Sequence, residues 1–280
     1  MRATLIVNPF ATGVTRDRVR ALEGRLDVVE TLLTELPGHA TELAARAQGD
    51  VVFVFGGDGL VNEAVNGLPA GKPLGIVPGG HTNVLARALG VPADPSRAAR
   101  RRRISLGRVN GRRFAFSAGI GVDSDTVREL ETEGRGRDGR RRGDLAYARV
   151  IARRLLHGYA PELDVEGLGR SAIVFVSNGP IYTYAGPVPL RFAPAARFEL
   201  GLDVCAPTRV GPADALRLVG RLATGRGLAG ARGVLAAHDV DHVRVACDRP
   251  RPLQADGEDL GDVGEAVFEA ERGVIDVLVA

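Results

Sequence analysis

The chain has 280 residues, 45% of them hydrophobic and 25% charged, with a formal net charge of +3. It is too apolar for a disordered chain and long enough for two domains, and it lacks the run of about 18 apolar residues that a membrane-spanning helix requires. Two cysteines, Cys205 and Cys247, in apolar strand-like stretches suit a reducing compartment, and no His/Cys cluster has zinc spacing.

The opening MRATLIVNPFATG enters a strand pattern directly, with no signal-peptide hydrophobic region, so a cytoplasmic location is expected. ATLIVN (3–8) reads as a strand and Thr15 to Gly24 as a short helix with Thr15 at its N-cap. LDVVETLLT (26–34) is a second strand. HATELAARA (39–47) puts Ala40, Leu43, Ala44 and Ala47 on one helical face. VVFVF (51–55) is a continuous apolar run, as in a strand covered on both sides. A helical pattern follows Gly59 and stops at Gly67. LGIVP (74–78), a glycine loop and a helix from Val84 to Gly90 repeat the theme. Alternation of this kind predicts a doubly wound α/β domain with a mostly parallel sheet.

After Gly90 the texture becomes β-rich. ISLGRVNGRRFAFSAG (104–119) predicts a hairpin turning at Asn110-Gly111, and a helical stretch around 125–156 is broken by an arginine-rich loop. Short strands follow at 172–178, 198–206 and 242–247, with one helix near Ala213 to Ala223 among them. Strands AVFEA and VIDVLVA close the chain. The division expected is 1–107 for the α/β domain and 108–264 for a β-rich domain, with 265–280 returning to pack on the first.

Positive charge is nearly all arginine, concentrated in Arg97 to Arg103 and in Gly134 to Asp144; Lys72 is the only lysine. Two readings stay open: solvated loops of a GC-rich coding sequence, or a surface for anionic lipid headgroups at about 1 kcal/mol per basic residue. Nucleic acid is not expected as a partner, because no aromatic residues interleave the arginines.

The stretch that carries chemistry is Val51 to Leu68, where a buried strand runs into Gly56-Gly57-Asp58-Gly59. Neither a P-loop nor a G-x-G-x-x-G fingerprint is present. Glycines let backbone N–H groups approach an anion, and the following helix contributes its positive end. An aspartate beside phosphates is favourable only with a cation between them, so Asp58 reads as the group holding Mg²⁺ on a bound nucleotide, or else as a plain helix cap. Pro78 to Gly90, with Gly80, His81, Thr82 and Asn83, is a second glycine loop on the same sheet edge, where Asn8 also opens. Farther along, Asp123 follows a glycine-rich turn, and QADGEDLG holds Asp256, Glu258 and Asp259 around an Asp-Gly that also suits an ordinary hairpin.

GGDGLVNEAVNGL followed by PGGHTNVLARALG resembles the diacylglycerol kinase catalytic-domain family of bacterial lipid kinases, and the likeness continues through TELPGHATELA, FAFSAGIGVDSD, PLRFAPAA with GLDV, and QADGE. The resemblance implies an ATP-binding α/β domain and a lipid-holding β-sandwich, with ATP and Mg²⁺ as cofactors and a lipid hydroxyl as acceptor at the membrane surface. Asn8, Thr34 and Gly56 to Glu63 (Asn62 included), with the second loop, would contact nucleotide. Glu258 would be the general base, with Asp123 near it. Leu60 and His81 stand where the family has threonine, which keeps open a non-catalytic nucleotide- or lipid-binding protein; NAD kinases share GGDG and are the third reading. Leu200-Gly201 replaces the Asp-Gly that precedes Leu-Asp-Val in members with a structural magnesium, with Glu199 or Asp203 as substitute ligands. Oligomeric state is left open, a homodimer included.

Overall fold

A computed structural model describes residues 1–132, 150–151, 153–155 and 158–280. The arginine run from Gly134 to Asp144, and with it most of the helical stretch expected around 125–156, lies outside the described residues. The chain divides into two compact units: Met1–Leu106 with Arg272–Ala280, and Gly107–Glu271. The return to the first unit therefore begins at Arg272 rather than at residue 265.

In the first unit a parallel sheet has the order β2 (Val28–Leu33), β1 (Ala3–Val7), β3 (Val51–Gly56), β4 (Leu74–Pro78), closed by the end of β16 (Glu258–Val279) through Val277 beside Leu74. β1 and β3 are buried at every position, which explains their unbroken apolar sequence. Side chains two apart on these strands, including Leu5, Val7, Phe53 and Phe55, form one core with Leu22 of α1 (Arg16–Glu23). Thr15 caps α1 by accepting from Arg18 N at 3.2 Å. The predicted stripe of α2 (His39–Ala45) is buried as expected. α3 (Asp58–Gly67) stops at Gly67 as expected, and a Cβ there would come within 1.9 Å of the Thr41 carbonyl of α2, so close packing asks for glycine at the same position.

β5 (Arg100–Val109) and β6 (Arg112–Phe114) form the expected hairpin, with Asn110 at φ 46° and Gly111 at φ 88°, the left-handed pair that a type I′ turn requires. The second unit is antiparallel. Its strands run β14 (Val234–Val240), β13 (Leu202–Pro207), β10 (Val174–Ser177), β7 (Ser117–Ile120), β15 (His242–Ala255) and β16. Where a sandwich is expected, one continuous sheet runs through these strands, and β15 changes partner along its length. The first part of β15 pairs with β8 (Leu163–Val165) and the last part with β7, and register shifts separate them around Pro250 and Pro252, which have no N–H to give a ladder. Residues from both parts, among them Val245, Leu253, Phe268, Val176 and Val204, share one core. The other face of β10 and β13 packs, through Phe175 and Cys205, with Ala215 and Leu218 of α6 (Pro212–Ala223), which follows α5 (Val122–Thr132) in this numbering. Cys205 is a buried free thiol that desolvation pushes up to about 12.

The closing strands expected at AVFEA and VIDVLVA are a single strand. Gly273, at φ 55°, lies within it, and its N–H donates to Ser105 Oγ at 3.2 Å.

The β15–β16 turn is fixed by Asp256. Its carboxylate accepts from the backbone N–H groups of Ala115 (2.6 Å), Phe116 (3.0 Å) and Ser117 (3.0 Å), ending β6 and starting β7. Asp256→Ala would bury those donors without their partner and should lower unfolding free energy by about 3 kcal/mol or more in urea titrations. A loss below about 1 kcal/mol would show that the three N–H groups are satisfied without it.

Candidate functional site

The strand order of the first unit reverses between β1 and β3, and the loops after those strands open at that reversal, the place where open α/β sheets bind ligands. Asn8 follows β1. Its N–H donates to Phe55 O at 3.1 Å, and its side-chain oxygen accepts from Phe10 N at 3.0 Å. Gly56 ends β3 and Gly57 follows it, and Gly79 and Gly80 follow β4. Gly79 N donates to Gly56 O at 2.7 Å, and Gly79 O accepts from Gly13 N at 2.8 Å, so the three loops are sewn together by main-chain bonds. A Cβ on Gly80 would lie 2.5 Å from Gly57 Cα, so the two backbones touch where any side chain would part them. Arg18 braces the assembly from below, bonded to the Gly13 and Pro78 carbonyls with its guanidinium 4.7 Å from the Phe55 ring centroid.

Asp58 is the first residue of α3, and its Oδ1 accepts from Leu85 N of α4 (Val84–Leu89) at 3.3 Å. It thus tethers a neighbouring helix start as well as opening its own. Asn83, in the left-handed region at φ 50°, closes the β4 loop by exchanging bonds with Gly80 at 2.9 and 2.8 Å. His81 is exposed and Thr82 half-buried. Thr34, at the end of β2, is buried, and its N–H donates to Val7 O at 2.9 Å. Asn62 is fully buried within α3. Gly59 is half-buried in the first turn. Glu63, assigned to nucleotide from the sequence, has a structural use: Oε2 accepts from Ala40 N at 3.0 Å, serving α2, whose own N-cap is Gly38. Leu60 is buried, with Cδ2 2.6 Å from where a Gly56 Cβ would stand, so the residue in the family's threonine position points into the core.

The donor set suits a magnesium–phosphate ligand: hard carboxylate oxygen at Asp58, and main-chain space that only glycine leaves open. Among the described residues no group of three or more His, Cys, Asp or Glu could hold a metal by itself. An ion at Asp58 would therefore take its other oxygens from phosphate and water. Asp203, the substitute ligand for a structural magnesium, is instead bonded to His238 Nδ1 at 2.8 Å and accepts from Asp239 N at 3.3 Å.

In the second unit, Glu258 forms an ion pair with Arg112 at 2.5 Å. Asp123 is buried, and its Oδ2 accepts from the Tyr182 hydroxyl and from Gln254 Nε2 at 2.8 Å, while Oδ1 has no partner. Burial pushes the Asp123 carboxyl up from its ordinary value, partly offset by those two donors. Gln254 Oε1 accepts from Gly257 N at 3.0 Å. One amide therefore joins the buried acid to the turn that carries Glu258, which is how the structure associates the two acids. Tyr182 is itself fixed by stacking on Phe192 at 4.0 Å between ring centroids. Asp259 forms an ion pair with Arg128 at 2.6 Å, which holds its carboxyl below the usual range. Sequence reasoning missed Arg112, Tyr182 and Gln254. Gln254 stood inside QADGE and could have been found; Arg112 and Tyr182 lie in segments with no motif.

The family model for the diacylglycerol kinase catalytic domain matches residues 2–110. This stretch belongs to the diacylglycerol kinase catalytic domain family. The diacylglycerol kinase of Bacillus subtilis is 43% identical over 93 residues, 30% of this chain and 31% of its own length. A Streptococcus pneumoniae protein, named provisionally as a lipid kinase, is 33% identical over 164 residues, 52% of this chain and 54% of its own. The chain thus spans about half or less of the curated relatives it matches. The crystal structure of a diacylglycerol kinase from Bacillus anthracis superposes with a TM-score of 0.72 at 21% identity, covering 100% of this chain and 97% of that one. An NAD kinase from Archaeoglobus fulgidus in complex with ATP gives a TM-score of 0.52 at 14% identity, covering 99% and 93%. Both share the fold, with the diacylglycerol kinase likeness the stronger.

The raised carboxyl of Asp123 predicts a pH signature. Protonated Asp123 stabilises the folded chain at low pH, and that contribution is lost as pH rises from the unfolded value near ~3.9 through the higher folded one. Asp123→Asn stays neutral throughout, so its melting temperature should gain on wild type as pH rises above about 4. A difference that does not change with pH would place no titration at this residue.

Proposed function

We propose that this chain is an ATP-dependent lipid kinase that transfers the γ-phosphoryl group to the hydroxyl of diacylglycerol or a related lipid, acting in the cytoplasm on the membrane surface. The observation that carries this reading is the contact of two glycine loops at the strand-order reversal, with a carboxylate at the start of α3, inside a segment of the diacylglycerol kinase catalytic domain family. Phosphoryl transfer asks for positioning and for neutralisation of charge on the phosphates. Main-chain N–H groups of the Gly57–Gly59 turn and the positive end of α3 supply part of that neutralisation. Asp58 would hold Mg²⁺, which would offset the charge of the phosphates. Asn8, Thr34, Gly80, Thr82 and Asn83 shape the nucleotide side.

Glu258 is assigned as the general base that takes the proton from the lipid hydroxyl, with Arg112 holding its carboxylate in one place. Asp123 is a positioning residue, because it is buried and reaches Glu258 through Gln254 and the Gly257 N–H. The burial of Leu60 supports an active protein: its side chain fills the core under Gly56 and leaves the face of the loop to backbone. No helix among the described residues is long and apolar enough to cross a membrane, so lipid would be reached from the surface. The NAD kinase likeness keeps a soluble nucleotide acceptor as the second reading.

Transfer of labelled γ-phosphate from ATP decides between them, run on diacylglycerol, sphingosine and a total lipid extract in mixed micelles beside NAD. A labelled lipid is expected, with turnover lost by about 100-fold or more in Glu258→Gln while MgATP still binds. Labelled NAD and unlabelled lipid would overturn the lipid assignment, and full turnover by Glu258→Gln would remove it as base.

A further inference from the structure

α6 (Pro212–Ala223) is apolar on two sides. Its inner side buries Ala215 and Leu218. At 100° per residue, Pro212, Ala213, Leu216, Val219, Gly220 and Ala223 share the opposite side, and all six are exposed, Leu216 by 76% and Val219 by 51%. That outer stripe carries no charged residue, whereas an ordinary surface helix turns its charges there. The charges lie along one edge of it and in the segments before and after the helix. The segment from Thr208 to Gly233 holds Arg209, Arg217, Arg221, Arg226 and Arg232 against Asp214 alone, a net of +4 in a chain whose total is +3. Arg209, Arg226 and Arg232 are exposed, whereas Arg217 pairs with Asp214 and Arg221 bonds to the Gly227 and Ala229 carbonyls.

We propose that the outer face of α6 docks on a bilayer containing anionic phospholipid, Leu216 and Val219 entering the acyl boundary and the flanking arginines meeting the headgroups. An apolar stripe edged by arginine is the pattern of a helix lying in the interface plane. A second copy is the poorer occupant, because a two-fold contact through this face would set +4 against +4. The surface deepens the lipid-kinase reading, which needs the protein at its substrate's membrane. Docking is measured without nucleotide, so its failure and the failure of lipid phosphorylation are separately visible.

The chain has no tryptophan, so Leu216→Trp gives a single reporter on this face. Its emission should shift to the blue on adding vesicles of mixed phosphatidylcholine and phosphatidylglycerol, and much less with phosphatidylcholine alone. In sedimentation with the mixed vesicles, the otherwise unaltered chain should bind, and Leu216→Ser with Val219→Ser should weaken binding by about tenfold or more. Neutralising Arg209, Arg226 and Arg232 to Gln should weaken it on the order of 100-fold, with the loss mimicked by high salt. All these positions are exposed, so melting temperatures should stay near that of the parent. Unchanged emission with the mixed vesicles, or serine variants that bind as well as the parent, would overturn the proposal. A blue shift that grows with protein concentration in the absence of vesicles would overturn it in favour of a second copy.

Discussion

Where the loops after β3 and β4 meet, two main chains touch with no side chain between them. Gly57 and Gly80 make that contact, and much of the first unit's loop architecture depends on it. It lets Gly79 bond to Gly56 and to Gly13 on either side, bringing the ends of three strands together. It also sets the start of α4 beside the start of α3, so that Asp58 can accept from Leu85. The result is a patch of main-chain N–H groups and helix ends with one carboxylate in it. Such a patch repels a carboxylate ligand less than bare acid would, and it suits phosphate that arrives with its own cation.

The second unit reaches rigidity by a different route. Its turn at Asp256-Gly257 is held by three main-chain donors to one carboxylate, and Gln254 ties the same turn to a buried acid. Desolvating Asp123 is unfavourable, and the stacked Tyr182 and the amide of Gln254 offset only part of that. A buried, half-satisfied carboxyl is a poor contribution to stability, and its bond to Gln254 ties it to the turn that carries the proposed base. Arg112 completes the frame around Glu258.

The first unit was largely legible in the sequence because its signals are local. Five- or six-residue apolar runs, helical spacing and terminal glycines mark each element of a parallel sheet, and Thr15 caps α1 as its chemistry requires. Gly67 ends α3 as a glycine at a helix end signals, while its close packing against Thr41 asks for the same residue and leaves no separate trace in sequence. The second unit was less legible, since its strands are short and its folding depends on non-local pairing. The register shifts of β15 fall around Pro250 and Pro252, which a strand reading passes over, and the last two strands are one strand with a left-handed glycine, Gly273, inside it. Asp58 and Glu258, the acids proposed for the site, stand in motifs. The partners that fix the second-unit acids, Arg112 and Tyr182, are distant in sequence from them and come together only through the sheet. Glu63 shows the converse: a residue inside a motif can be committed elsewhere, here to α2.

The claim on which the account rests is that the bare contact of Gly57 with Gly80 builds the nucleotide site. Titration calorimetry of MgATP into Gly80→Ala tests it most directly, alongside the melting temperature. The account predicts that affinity falls by about tenfold or more while the chain still unfolds cooperatively, because a methyl group 2.5 Å from Gly57 Cα must push the loops apart. Unchanged MgATP affinity in a folded Gly80→Ala variant would contradict it, and the nucleotide would then have to bind elsewhere.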